Sequence, residues 1–336
     1  MDSDVQPYAF LLSLPLVFVS LFNLAKNRVI TIVLLSAVIA ILLFIIEPGQ
    51  FAFRLLYGYV SFFFVLVASY YSASKYGVYL EAIIKAIIII WFFVGLFQLF
   101  GGNKRLLAFL VSNARTSSDR GVFGLASEPS FFGVQCFYFL FLVSLFKRHK
   151  LLFMGLCAIM SVFMAQSTLG VIFLVVYLLL YAFDTKKVKY IIPCILAISA
   201  IAVYIVLNDS GGRLTYLVGE FFSNNMTSFE EDQSTSVRLN SIFYSWNSVF
   251  ENYFLPQGFI DRYGCLIGDT MVVFGFWGIP LVFIILSGLS KSFHHKDIVV
   301  VSFVLFAFLF NSNIQISNPS LAFVLGFLLN DQDRVV

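Results

Sequence analysis

Apolar residues run in long blocks along this chain, and polar residues gather in the gaps between them. Blocks of this kind predict membrane-spanning helices, which need about 20 mostly apolar residues, or somewhat fewer where polar ends are tolerated. They fall at 8–24, 29–46, 51–71, 79–100, 131–146, 151–166, 169–183, 188–207, 269–289, 298–310 and 320–329, about eleven in all. The expected fold is an all-α, polytopic transmembrane helix bundle forming a single integral membrane domain over 1–336. Two gaps are long: 101–130 and 208–268.

Composition supports a lipid solvent. The chain is 60% apolar, 18% aromatic and 12% charged, and a soluble fold would need about twice that charged fraction. The net charge of +3 is too small to indicate a nucleic-acid partner. Asp2 and Asp4 stand where a secretory signal would carry Lys or Arg, so the first apolar run is expected to be a retained helix. Cys136, Cys157, Cys194 and Cys265 have no disulfide or zinc spacing and are expected to be small core residues.

The distribution of charge predicts orientation. If the spans alternate, one set of short connections holds Lys26, Arg28, Lys75, Lys147, Arg148, Lys150, Lys186, Lys187, Lys189, Lys291, Lys296 and Arg334. Lys and Arg accumulate on the cytoplasmic side, which puts the N-terminus outside, the C-terminus inside and both long loops outside. His149, His294 and His295 lie in the basic turns, and no phosphate-binding Gly-rich loop is present. Any chemistry is expected to face outward.

The first outward loop carries Lys104, Arg105, Arg115 and Arg120 and ends in RGVFGLASEPS. Ser127 or Glu128 can cap the next helix, Pro129 suits its first turn, and an acid there complements the positive helix end by about 0.3–1 kcal/mol. Capping does not account for Arg120. In the second loop, Leu239, Ile242, Phe243, Trp246, Val249, Phe250 and Tyr253 fall on one helical stripe, with Arg238, Ser241, Ser245 and Ser248 on the other side. This amphipathic helix is expected along the membrane surface or with its apolar face on the bundle. LPQGFIDRYG then carries Asp261 and Arg262 back toward the membrane.

Within the spans, Arg54 and Lys85 are expensive, at about 2.5–3.5 kcal/mol each for a helix centre on insertion scales. Snorkelling accounts for both, and Arg54 has the alternative of lining an outward polar cavity. Gln166, Ser167 and Thr168 form a tight turn between short apolar runs, with a partly unwound helix as the alternative.

Arg120 with Glu128, Pro129 and Ser130, Ser236 to Arg238, Pro256 and Gly258, and GFWG at 275–278 before an apolar run together resemble the Wzy family of bacterial O-antigen and capsule repeat-unit polymerases. The resemblance covers most of the chain from Arg54 onward. It implies a glycosyltransferase of the bacterial cytoplasmic membrane, working on its outer face. The growing polymer would move from undecaprenyl pyrophosphate onto a new lipid-linked repeat, without nucleotide sugar, metal or other cofactor. Its partners would be the lipid-linked oligosaccharides, membrane lipids, a chain-length regulator and a flippase. The related ligases are described with a His in the second long loop, and this sequence has no His there, which favours the polymerase.

A lipid-diphosphate leaving group needs cations, and the Arg fork binds two oxygens at once. Arg120 and Arg238 are the catalytic candidates, and Arg54, Arg115 and Arg262 the substrate-binding ones. Glu128 is either a base for the attacking sugar hydroxyl or, since a helix N-terminus favours its carboxylate form, an orienting group. The main rival is a transporter or flippase, which would favour internal repeats and ionisable residues near the midplane; no half-to-half similarity is evident, and the polar mass lies in the two outward loops. An intramembrane serine protease using Ser167 would lack a neighbouring base, and a noncatalytic scaffold would have little use for outward arginines.

Overall fold

A computed structural model of the chain describes residues 8–24, 27–46, 48, 50–101, 121–184, 233–259, 265–290 and 319–330. Every regular element among them is helical: α1 (Tyr8–Leu24), α2 (Arg28–Ile46), α3 (Gln50–Phe100), α4 (Pro129–Ser144), α5 (Lys150–Ile159) with a π-helical continuation (Met160–Met164), α6 (Thr168–Asp184), α7 (Gln233–Glu251), α8 (Leu266–Phe274), a 3-10 turn (Gly275–Trp277), α9 (Gly278–Ser290) and α10 (Pro319–Asn330). Four stretches are long and apolar enough to cross a membrane: Arg28–Ile46, Ala52–Tyr76, Tyr79–Phe100 and Leu266–Ser290. α2 buries Ile30, Val33, Ala37 and Ala40 yet exposes Leu35, Val38, Leu42 and Ile45, a surface that a hydrocarbon solvent covers and water does not. The protein is helical and membrane-embedded.

The apolar blocks at 8–24 and 29–46 correspond to α1 and α2 almost residue for residue. The blocks at 51–71 and 79–100 are two helical spans, Ala52–Tyr76 and Tyr79–Phe100, that follow one another across a kink at Tyr76 (φ −121°, ψ 20°). Blocks 188–207 and 298–310 lie outside the described residues, so these residues do not establish the expected count of eleven.

Contacts divide the chain into two units. The first contains α3 from Glu81 onward, α4, α5 with its π turn, and α6. Its core is aromatic: Phe137 stacks on Phe173 at 4.6 Å and meets Phe141 edge-on at 4.8 Å. α4 and α6 meet at Gly133 and Gly170, where an added β-carbon on Gly133 would sit 2.9 Å from the Gly170 Cα. Lys85 does not stand alone. Its Nζ lies 2.5 Å from Glu81 Oε1 and over the rings of Phe146 and Phe153, while the Glu81 carboxylate faces the backbone N–H groups of Lys147 and Arg148. An ion pair one turn apart thereby ties α3 to the turn before α5.

The second unit contains α1, α2, α3 up to Leu80, α7 from Val237 onward, α8, α9 and α10. Asn27 caps α2 through Oδ1, which accepts the Val29 N–H at 2.9 Å, and its Nδ2 donates to the Tyr70 hydroxyl at 2.6 Å. Gly326 lets α10 approach α3 so closely that an added β-carbon would meet the Leu66 carbonyl oxygen and Ser69 Cβ at 2.6 Å.

α7 buries part of its expected stripe together with Ser245 from the polar side. Ile242, Ser245 and Val249 are buried, with Ser245 against Gly268, while Phe243 and Phe250 are exposed. The small Ser245 side chain fits where Gly268 offers no side chain, and its hydroxyl is satisfied by the Ile242 carbonyl at 2.8 Å. A bulky aromatic could not approach so closely.

Candidate functional site at the head of α4

The segment leading into α4 is built into the first unit from three sides. Val122 and Phe123 are fully buried, and the Val122 N–H donates to the Met164 carbonyl at 2.8 Å. Gly121 lies on the Met164 and Ala165 carbonyls, where any β-carbon would collide. Gln98, in the last turn of α3 and fully buried, clamps Gly124 in both directions. Its Nε2 donates to the Gly124 carbonyl at 2.9 Å and its Oε1 accepts the Gly124 N–H at 2.8 Å. Gly124 has φ +60°, a conformation that favours glycine. The Phe132 ring packs on Trp91 and beneath Gly95 and Gly124.

The partner carbonyl comes from the π turn. The Ala165 N–H reaches back to the Met160 carbonyl at 2.8 Å, closing the wider ring of a π turn, a local form frequent at functional sites. Gln166 then takes φ +46° and α6 begins at Thr168. The turn expected at Gln166, Ser167 and Thr168 runs over 165–167, with Thr168 opening α6, and it is preceded by a π turn that the sequence reading did not include.

Glu128 stands at the N-cap of α4 in extended conformation (φ −156°, ψ 162°), followed by Pro129 at the first helical position, and its side chain makes no capping bond. The half-buried carboxylate instead accepts the Ser130 hydroxyl at 2.6 Å. Its oxygens therefore sit beside the positive end of α4 without being spent on the helix backbone. A group in this position can accept hydrogen bonds from sugar hydroxyls or pair with a guanidinium.

Of the other candidates, Arg54 lies half-buried on α3 in the second unit, and Arg238 lies within α7. Arg115, Arg120 and Arg262 are outside the described residues. Among the described residues, no group of His, Cys, Asp and Glu is arranged to hold a metal.

Two polar residues escaped the sequence reading. Gln98 looked like one more polar residue at a span end. Asp269, half-buried in the first turn of α8, lies close enough to the buried Tyr59 hydroxyl to act on it electrostatically, with Thr270 beside both. Its signal was an acid at the start of an apolar run, a pattern that marks function in membrane proteins. Burial pushes the neighbouring Cys265 thiol up to about 11.

No family model, no curated protein and no solved structure matches the chain.

Proposed function

We propose that this protein joins lipid-diphosphate-linked oligosaccharide repeats into a surface polysaccharide on the outer face of a bacterial cytoplasmic membrane, as a glycosyltransferase of the Wzy type. The observation that carries this reading is the Glu128 carboxylate. It is held by Ser130 at the head of α4 and left free of the helix backbone, at the end of a segment secured by Gln98 and Met164. In this mechanism Glu128 accepts a hydrogen bond from the attacking sugar hydroxyl. Arg120 and Arg115 neutralise the departing diphosphate through paired N–H donors, and Arg238, Arg54 and Arg262 are further candidates for that role. The new glycosidic bond forms at the anomeric carbon as its bond to the diphosphate oxygen breaks. The hydroxyl proton leaves by way of Glu128 or solvent.

The test is the surface-glycan profile of a strain lacking the gene, complemented with the wild-type chain or with Arg120→Ala, Glu128→Ala or Arg238→Ala. Single repeats in the deletion strain, long chains with wild type and none with the variants at equal protein level would support the polymerase. A deletion strain that exports no repeats at all would favour the flippase reading. Long chains persisting without the gene would overturn the proposal.

A further inference from the structure

Lys147, Arg148, His149 and Lys150 follow one another from the turn after α4 into the first residue of α5, and the structure uses them in two ways. Lys150 is engaged inside the first unit: its Nζ donates to the Ser144 carbonyl at 3.2 Å and lies 5.0 Å from the centre of the Tyr181 ring on α6. Lys85 is likewise engaged, with Glu81 and with the rings of Phe146 and Phe153. Lys147, Arg148 and His149 are exposed, and among the described residues their side chains have no hydrogen-bond or ion-pair partner. The turn that presents them is nonetheless fixed. Glu81 faces the backbone N–H groups of Lys147 and Arg148, Phe146 meets Phe153 edge-on at 5.4 Å, and His149 takes φ +62°.

Directly after the turn, one face of α5 and its π turn is bare and apolar. Leu152, Gly155, Ile159 and Phe163 recur at helical spacing and are all exposed. At Gly155 an added β-carbon would meet nothing within 4 Å, so the stripe is dented one turn beyond Leu151 and Leu152. Two fixed and unengaged cations therefore stand at the head of an apolar furrow. An anionic phospholipid matches both parts, with its phosphate at the cations and an acyl chain along the helix. A zwitterionic lipid fills the furrow but brings an ammonium group that the cations repel, and an acidic peptide answers the charges but leaves the furrow bare. We propose that the turn between α4 and α5 and the exposed stripe of α5 form a binding site for an anionic phospholipid of the bilayer. The Arg148 fork takes two phosphate oxygens, Lys147 supplies the second charge, and His149 is a hydrogen-bond partner for the headgroup. The site is separate from Glu128, because the 16 residues of α4 put about 24 Å between the two. The bias of Lys and Arg toward one side of a membrane sets orientation; a site needs more, and here the two charges are held by Glu81 and left unpaired above an open apolar surface. This inference requires membrane embedding only and is independent of the proposed polymerase activity.

The test uses the full chain in detergent with equimolar phosphatidylglycerol and phosphatidylcholine, and bound lipids are counted by native mass spectrometry. A cation at a membrane surface is worth roughly fivefold in binding an anionic lipid, so Lys147→Gln combined with Arg148→Gln should lower the ratio of bound phosphatidylglycerol to phosphatidylcholine by about fivefold or more. Arg28→Gln combined with Lys75→Gln removes two exposed cations of the second unit and should leave the ratio nearly unchanged. A second arm uses the wild-type chain in vesicles of the two lipids, so it does not depend on how the variants fold. Either lipid carries a diazirine in the same acyl chain, and after irradiation the phosphatidylglycerol probe should label peptides covering 151–163 several-fold more than the phosphatidylcholine probe does. An unchanged ratio in the first pair, or an equal fall in both pairs, which would mean charge spread over the surface and no site, would overturn the proposal. Equal labelling of 151–163 by the two probes would do the same.

Discussion

Replacing Gln98 by Leu should release the segment that leads to Glu128 while leaving the helices in place. The substitution preserves bulk in a fully buried site and removes both partners of the Gly124 backbone. A buried polar group left unpaired costs about 1–3 kcal/mol; with partial relaxation the two together weaken local closure by about 2–4 kcal/mol. At about 1.4 kcal/mol per tenfold, that is a roughly 30- to 700-fold rise in the open fraction of the segment. Amide hydrogen exchange of the purified protein, followed by mass spectrometry on a peptide covering 121–128, reads this directly. Peptides from α6 and α10 serve as references. Exchange should accelerate across 122–126 and stay unchanged in the references. Unchanged protection at 121–128 would show that the Val122–Met164 bond and the Phe132 packing hold the segment alone, and the clamp argument would fall. Gln98→Glu keeps an acceptor for the Gly124 N–H but turns an oxygen toward its carbonyl. It should therefore be at least as severe as Leu.

Other variants address packing and charge. Gly326→Ala puts a methyl group against the Leu66 carbonyl and Ser69; a loss of about 1–3 kcal/mol for overpacking is expected, visible as a lower thermal midpoint in detergent, and an unchanged midpoint would contradict the close approach. Lys85→Met and Glu81→Gln should each destabilise by about 1–3 kcal/mol by stranding the partner charge in an apolar span. The double variant should lose less than the sum of the two, and strict additivity would mean that the pair is not coupled. Cys265, buried with its thiol pushed up to about 11 against an ordinary 9.0, should resist maleimide at pH 8 in the folded protein. Between about pH 9 and 11 the unfolded chain has lost this proton and the folded chain retains it, so this thiol's contribution to stability should fall as pH rises through that window. The Cys265→Ser variant should show a shallower fall, and an equal fall in both would assign it elsewhere.

What the sequence made legible depended on how local the determining interaction was. α1 and α2 were read to within a residue because their ends are abrupt changes from apolar to polar. The break expected between 71 and 79 is a kink at Tyr76, with helix on both sides of it, and Ser, Ala and Lys carry helix through most of the connection. α7 was expected to lay its apolar stripe on the membrane surface or on the bundle, and part of that stripe, Ile242 and Val249, is buried while Phe243 and Phe250 are exposed. Periodicity separates apolar from polar positions, and in a membrane protein both the protein-facing and the lipid-facing sides are apolar. Ser245 reached the buried face through Gly268, a partner far along the chain. At the candidate site, the N-cap position of Glu128 and the role of Pro129 were readable from the four residues SEPS. The Gln98 clamp joins positions 26 residues apart with no shared pattern, and nothing in the sequence alone marks it.

The bond between Val122 and the π turn also determines where this chain tolerates changes of length. One residue more or fewer within 160–164 would rotate everything after it by about 100° about the helix axis and carry the Met164 carbonyl away from Val122. One residue more or fewer within 121–124 would pull Gly121 or Gly124 off seats that suit a residue without a β-carbon. Insertions should instead be absorbed at the exposed His149, which already adopts a left-handed turn and lies beyond the Lys147 and Arg148 N–H groups that face Glu81. Among relatives of this chain, the two inner segments should keep constant length while the basic turn varies.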